Sequence, residues 1–371
     1  MKYYIIAGEA SGDLHGSNLI KALKKEDASA DIRCWGGDLM EKAGGVLVKH
    51  YRDLAFMGFI EVLMNLRTIL KNITFCKQDI EKFNPDVIIF IDYPGFNMRI
   101  AKWAKQKDIP THYYISPQIW AWKENRIKDI KRDVDKMYVI LPFEKDFYEK
   151  KHDFPVEFVG HPLIDAIHNR KTISREDFIQ ENALEDKPII ALLPGSRKQE
   201  ISKMLEIMLS VSDDFSDYQF VIAGAPSQEY SFYQTFLRKK NVNFVSNKTY
   251  DLLSHSHAAL VTSGTATLET ALFKVPEVVC YKGSRISYEI AKRIIMLKYI
   301  SLVNLIMDKE VVKELIQNEL NLKNLKAELQ KIIEPNYRHQ LLQEYDLLET
   351  ILGGTGASEK TARLIVEGLK L

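Results

Sequence analysis

The chain has 371 residues, of which 46% are hydrophobic and 27% charged, and its net charge is +1. That length points to two domains and lets roughly three-quarters of the unfolded surface be buried, while the near-neutral balance excludes nucleic-acid binding through bulk electrostatics. Cys34, Cys76 and Cys280 lack any C-x-x-C spacing, which argues against a disulfide framework or zinc site and suits a reducing cytoplasm.

The first predicted strand is 2–7. Its apolar run, Tyr3 to Ala7, is shorter than the ~7–15 residues of a signal-peptide core. It leads into Gly8-Glu9-Ala10-Ser11-Gly12-Asp13-Leu14-His15-Gly16. A glycine-spaced loop between a strand and a helix is where α/β proteins usually hold phosphates. This one carries two carboxylates and no Lys or Arg, and two such charges beside a pyrophosphate would repel it by several kcal/mol at low dielectric. A hydroxyl-rich sugar is the expected occupant. Gly8, Glu9, Ser11, Gly12 and Asp13 are then sugar or cleft contacts, with Glu9 and Asp13 alternatively bracing a nearby catalytic group. His15 is either an acceptor contact or an ordinary helix residue.

Residues 54–75 place apolar side chains nearly all round a helix, interrupted by Glu61, Arg67 and Lys71. They form either a buried face or an exposed apolar patch with basic neighbours suited to an anionic membrane or acyl chains. Segment 285–307 has the same two readings. No run of ~18 uncharged apolar residues occurs, so no bilayer span is expected.

Further strands are predicted at 86–91, 111–115, 136–141 and 156–159. The first ends in Asp92-Tyr93-Pro94-Gly95-Phe96-Asn97. Asp92 at a strand C-terminus is placed either as a general base or as the start of a turn. After the next strand comes Ser116-Pro117-Gln118-Ile119-Trp120-Ala121-Trp122-Lys123; Gln118 and the tryptophans could line a sugar site, although burial is the commoner fate of Trp. Asp133-Val134-Asp135 has a metal-type D-x-D spacing, but it precedes its strand and is surrounded by Lys131, Arg132 and Lys136. It reads as a solvated turn, and no metal is expected.

A polar stretch over 161–187 connects this half to a second series of strands at 188–193, 218–223, 242–245, 258–262 and 277–281. Near-continuous apolar strands separated by helices predict parallel sheets covered on both faces. Gly195, Ser196 and Arg197 follow the first strand of the second half. Arg197 can grip a phosphate with two parallel donors while the glycine lets the backbone approach; the alternative is a plain turn with a solvated Arg-Lys pair. Ser263-Gly264-Thr265-Ala266-Thr267-Leu268-Glu269 follows a later strand. Its hydroxyls suit phosphate oxygens and Glu269 suits ribose hydroxyls, unless these residues only cap their helix. His255 and His257 read as structural. No G-x-G-x-x-G follows any strand, which disfavours a dehydrogenase. From about 309 the chain reads as helical, broken at 353–356 before a last helix of about 357–369.

Taken together, GEASGD (8–13), MGFIEVL (57–63), IDYPGFN (91–97), SPQIWAWKENR (116–126), LPFE (141–144), GHP (160–162), LPGSR (193–197), SGTATLE (263–269) and SLVN (301–304) resemble the lipid-A-disaccharide synthases, in order and spacing, from about residue 3 to about 318. Val303 departs from the proline usual in that family. The resemblance implies α/β GT-B architecture, two Rossmann-like parallel-sheet domains facing a cleft. It implies an inverting glycosyltransferase that condenses UDP-2,3-diacylglucosamine with 2,3-diacylglucosamine 1-phosphate (lipid X). The implied domains are an acceptor and membrane-facing domain over 1–165, a linker over 166–187, a UDP-sugar domain over 188–345, and a C-terminal helix, 346–371, packing back on the first domain. Carried over by position, Asp92 is the base, and Gly195, Ser196, Arg197, Ser263, Gly264, Thr265, Glu269 and Asn304 bind the donor. Gln118 joins the acceptor side. Phe56, Met57, Phe59, Ile60, Leu63, Leu66 and Leu70 meet membrane and acyl chains, at the cytoplasmic face of an anionic inner membrane. No cofactor is implied, and a homodimer is among the allowed states. The rival readings are a UDP-N-acetylglucosamine 2-epimerase-like enzyme and a UDP-sugar-binding module without turnover.

Overall fold

The computed structural model describes residues 1–54, 66–237, 242–283 and 298–370. The chain divides into two compact units, Met1–His168 with Leu352–Leu371, and Asn169–Ile351.

Unit 1 is built on a seven-stranded parallel sheet: β1 (Lys2–Ala7), β2 (Asp31–Gly36), β3 (Val46–His50), β4 (Val87–Ile91), β5 (Thr111–Tyr114), β6 (Lys136–Val139) and β7 (Glu157–Phe158). Their spatial order is β3-β2-β1-β4-β5-β6-β7, every neighbouring pair parallel. The β-branched and aromatic side chains of β1 and β4 are fully buried, as a sheet covered by helices on both faces requires. The order reverses between β1 and β4, and the loops that follow these two strands lie at the switch point, at the carboxyl ends where doubly wound sheets place their functional groups.

Unit 2 repeats the plan with six parallel strands: β8 (Ile189–Leu193), β9 (Gln219–Gly224), β10 (Asn243–Ser246), β11 (Ser256–Thr262), β12 (Glu277–Tyr281) and β13 (Lys313–Ile316). Their order, β10-β9-β8-β11-β12-β13, places the equivalent switch between β8 and β11. Ala7 pairs with Ile91 across one switch and Leu193 with Val261 across the other, so in each unit the two loops leave the sheet at one level.

Three strands lie beyond those the sequence predicts. Asp31–Gly36 is punctuated by charge, but Arg33 reaches Asp79 through two bonds of 2.7 and 2.8 Å, which lets a basic residue sit inside the sheet layer. Val46–His50 is an edge strand and therefore half polar. Lys313–Ile316 corrects the helical reading of the region after 309: Glu314 is buried there and accepts from the backbone of Ile300 and Ser301 and from the Ser301 hydroxyl. The polar 161–187 stretch contains two helices, Pro162–His168 and Arg175–Glu181.

After the Pro335–Ile351 helix the chain turns through Gly353, Gly354 and Gly356, all at positive φ, and ends in the Ala357–Lys370 helix. That helix packs on the Ala10–Glu26 helix of unit 1. Its first turn is capped from far away in sequence, because the Asp165 carboxylate accepts from the backbone N–H groups of Gly356 and Ser358 at 2.6 and 3.0 Å. No helix among the described residues is long and apolar enough to cross a membrane.

Candidate active site at two topological switch points

At the unit 1 switch, the loop after β1 meets the turn after β4. Gly8 is required there: a Cβ would lie 2.3 Å from the Tyr93 ring. Gly12 lets the Ala10–Glu26 helix approach the strand, since a Cβ would stand 3.0 Å from that of Ala7. Glu9 and Ser11 are exposed.

Asp13 is a correction to the expected acceptor role. Its carboxylate is buried and accepts from the N–H groups of Gly37, Leu39 and Met40 at 2.8, 3.2 and 3.0 Å. These are donors at the start of the Asp38–Lys42 helix, so Asp13 anchors that turn and has little left to offer a sugar.

Asp92 and Tyr93 are consecutive non-glycine residues in the left-handed region, at φ 46° and 49°. Such a conformation costs on the order of 1–3 kcal/mol per residue and persists only where neighbours over-determine it. Here the neighbours are identifiable. The Asp92 carbonyl accepts from Asn97 Nδ2 at 2.7 Å and from the Tyr113 hydroxyl at 2.6 Å, and the Asp92 N–H donates to the Tyr114 carbonyl. Asn97 is fully buried, with longer contacts to the carbonyls of Ile6 and Ile91, so one amide ties both strand ends. Burial pushes the Asp92 carboxyl up to about 6, and the negative charge of Glu9 pushes the same way. The strained turn thus holds a carboxyl poised near neutrality.

The loop after β5 begins with Ile115 at φ 64°, and buried Glu144 anchors it. One carboxylate oxygen of Glu144 accepts from the Ser116 hydroxyl at 2.5 Å and Trp120 Nε1 at 3.1 Å, while the other accepts from the N–H groups of Ile140 and Leu141. Gln118 is exposed on this anchored loop, and so is Trp122. Asp133 is bound by Arg132 and Asp135 bonds Thr111, which accounts for both acids of the D-x-D spacing.

In unit 2, a cavity of ≈ 420 Å³ opens at the switch between β8 and β11. Gly195, Ser196, Arg197, Gly264, Thr265 and Glu269 all line it, although they come from two segments some 70 residues apart. Gly195 sits at φ +106°, and a Cβ there would lie 2.2 Å from the Glu200 carboxylate. Ser196 N–H donates to that carboxylate at 3.1 Å, so an oxyanion already occupies one donor of the loop. Arg197 is exposed at the start of the Lys198–Ser210 helix. Tyr250 donates to Glu269 Oε1 at 2.9 Å, which leaves the second oxygen of Glu269 for a ligand; burial raises that carboxyl.

Two donor-side residues carry hydrogen bonds of their own. Ser263 also lines the cavity, but its hydroxyl proton is committed to the Ile300 carbonyl at 2.8 Å, so it can accept from a ligand rather than donate. Asn304 is fully buried and saturated: Nδ2 donates to the Val312 carbonyl and Glu314, and Oδ1 accepts from the N–H groups of Val311 and Val312. It fastens the Leu302–Met307 helix to β13, and buried Val303 at the family's proline position sits in that same helix.

Of the apolar residues expected to meet a membrane, Phe56, Met57, Phe59, Ile60 and Leu63 lie outside the described residues. Leu66 begins the Leu66–Phe83 helix, along which Leu70 and Phe75 are exposed. Asn97, Tyr113, Glu200 and Tyr250 were not singled out by the sequence reading. Only Asn97 gave a signal, as the closing polar residue of the IDYPGFN motif.

Two doubly wound units, each with a loop pair converging at its switch point, define the GT-B class of sugar-nucleotide enzymes. Solved structures agree on the fold: a UDP-GlcNAc 2-epimerase from Neisseria meningitidis bound to UDP-GlcNAc matches with a TM-score of 0.70 at 16% identity, covering 100% of both chains. The calicheamicin glycosyltransferase CalG4 matches at 0.60 and 14%, covering 99% of this chain and 97% of that one. At such identities the likeness carries the fold alone. Sequence similarity is far stronger elsewhere. The model of the family described as lipid-A-disaccharide synthetase matches residues 3–365. Lipid-A-disaccharide synthases from Syntrophus aciditrophicus, Geobacter metallireducens and Coxiella burnetii are 39%, 37% and 36% identical, covering 97–99% of this chain and 96–97% of theirs. The chain belongs to the lipid-A-disaccharide synthase family, and it is a glycosyltransferase of lipid A biosynthesis.

Proposed function

We propose that the enzyme transfers a diacylglucosamine unit from UDP to the 6-hydroxyl of 2,3-diacylglucosamine 1-phosphate by a single inverting displacement, with Asp92 as general base. Asp92 takes the hydroxyl proton as that oxygen forms its bond to the anomeric carbon. The bond from that carbon to the UDP oxygen breaks, and the electron pair leaves with UDP. Arg197 and the N–H at the start of the Thr265 helix meet the charge that develops on the leaving diphosphate. Glu269 accepts from the ribose. The acyl chains enter from an anionic membrane surface on the cytoplasmic face, along the segment that ends at Leu70.

The observation that carries this reading is Asp92 itself: a carboxyl raised to about 6 on a braced, left-handed turn at the C-terminal end of a central strand. A base with that pKa is ionised at neutral pH and retains affinity for a proton. The decisive assay incubates UDP-2,3-diacylglucosamine with and without lipid X. UDP and disaccharide should appear only when lipid X is present; UDP released regardless of lipid X would overturn the reading. An epimerase would convert the UDP-sugar alone, and a binding module would release nothing. Asp92→Asn should lower turnover by ~10²–10⁴-fold, the usual worth of a general base, with UDP affinity by calorimetry unchanged; near-normal turnover would exclude Asp92. For the membrane contact, changing Phe56, Phe59 and Leu63 together to Ser should abolish flotation with anionic vesicles, and retained flotation would move the contact elsewhere.

A further inference from the structure

The acceptor of this reaction bears a phosphate, yet the first loop of unit 1 has no cation to hold it. A second feature of the same unit supplies two. A cavity of ≈ 230 Å³ lies beside the Asp92 turn, lined by Pro94 and Gly95 from the start of the Pro94–Lys105 helix, by Pro117 and Ile119 from the loop after β5, and by Arg99 and Arg126. Gly95 faces open space, since a Cβ there would meet nothing within 4 Å. Among the described residues, neither guanidinium has a carboxylate partner. The one acid on the wall, Asp129, is already engaged by Arg132 at 2.9 Å. Met98 and Ile130 give the remaining wall an apolar character.

We propose that this cavity is the subsite for the acceptor's sugar phosphate, with Arg99 and Arg126 as its two cationic donors. The inference rests on the acceptor reading given above. Its chemistry follows from three features. Two arginines present paired N–H donors that match a phosphomonoester far better than a neutral hydroxyl. The N-terminal end of a twelve-residue helix adds partial positive charge to the same wall. Pro94 and Gly95 follow Asp92 within three residues, so a sugar whose hydroxyl reaches the base can present its phosphate to the arginines. Arginine in place of lysine also favours a fixed geometry, and the anchored loop after β5 holds Pro117 and Ile119 in the cavity lining.

The test compares two acceptors of equal acyl length in zwitterionic micelles, 2,3-diacylglucosamine 1-phosphate and its dephosphorylated counterpart, with wild type, Arg99→Gln, Arg126→Gln and Arg126→Lys. Wild type should prefer the phosphorylated acceptor. Each Gln variant should raise its KM by about 10- to 100-fold, the loss expected for a charge-assisted pair, and leave the KM for the dephosphorylated acceptor and the UDP-sugar unchanged. Arg126→Lys should recover part of the preference. An equal loss on both acceptors, or no loss on either, overturns the subsite. Flotation on phosphatidylglycerol vesicles separates the other source of phosphate: a variant that loses flotation but keeps its acceptor preference assigns the arginines to a lipid headgroup and overturns the proposal. If wild type makes no disaccharide from either acceptor, the acceptor reading itself falls, a result distinct from a variant that works but no longer distinguishes the two.

Discussion

The two units share a strand order and a switch point, and they meet the same backbone demand in opposite ways. Each needs residues at positive φ where a strand ends and a helix begins. In unit 2 the demand is met by Gly195, whose lack of a side chain lets an anion approach the backbone. In unit 1 it is met by Asp92 and Tyr93, which pay a steric cost that glycine would avoid. The difference follows from what each loop must offer. On the proposed roles, a phosphate loop offers N–H groups, so a side chain is in the way; a base loop offers a carboxylate, so the side chain is the reagent and the strain has to be tolerated. Asn97 and Tyr113 make it tolerable.

That contrast can be broken by experiment. Among the residues that brace these two loops, the largest effect should come from Asn97→Ala, which removes a 2.7 Å bond to the Asp92 carbonyl and leaves that group less satisfied. At about 1–3 kcal/mol for such a loss, kcat should fall by about 10- to 100-fold with little change in KM for the UDP-sugar. Tyr113→Phe, which spares the amide, should show the same pattern at smaller size. Unchanged kcat in both would mean that the turn holds itself. Next in size is Gly195→Ala, where the new methyl meets both an unsuitable φ and the Glu200 carboxylate. UDP affinity by calorimetry should drop about tenfold, on the order of 1–2 kcal/mol, whereas acceptor KM should not move.

Two smaller effects sharpen the electrostatic side. The rise of kcat/KM with pH should report Asp92 near 6, activity growing as the carboxyl ionises. Glu9→Gln removes a neighbouring negative charge, so the acid limb should shift to lower pH; a shift upward would contradict the assigned coupling. Stability carries the same sign. Asp92 binds its proton more tightly folded than unfolded, so its carboxyl opposes the native state as pH climbs through 6 and costs nothing below about pH 4. Asp92→Asn should therefore raise Tm at pH 8, on the order of 2 °C, with the difference vanishing near pH 4.

The loops themselves were legible in the sequence because each follows a short buried strand, and a strand end is where a doubly wound unit exposes its functional groups. Gly195, Arg197, Thr265 and Glu269 needed only that rule to be placed as candidates. Asp13 and Asn304 carry equally plausible side chains, but their hydrogen-bonding capacity is taken up by backbone groups at Gly37 and Val311, and the Ser263 proton goes to the Ile300 carbonyl; nothing local announces such partners. The brace on Asp92 was hidden for a related reason: a left-handed aspartate leaves no glycine to mark the turn. Lys313–Ile316 was hidden by its charges, since Glu314 is buried only because Ser301 and Asn304 surround it. Arg126 lay inside a quoted motif, yet its meaning depends on a cavity wall assembled from three separate segments.

The Ala357–Lys370 helix makes unit 2 an insertion within unit 1. During synthesis the Ala10–Glu26 helix therefore emerges early but must wait for its covering partner until all of unit 2 has been translated, and Asp165 waits equally long for the two N–H groups it caps. Domains fold as units while the chain is made, so unit 2 can close on the ribosome, whereas unit 1 is completed only after residues 352–370 have been made.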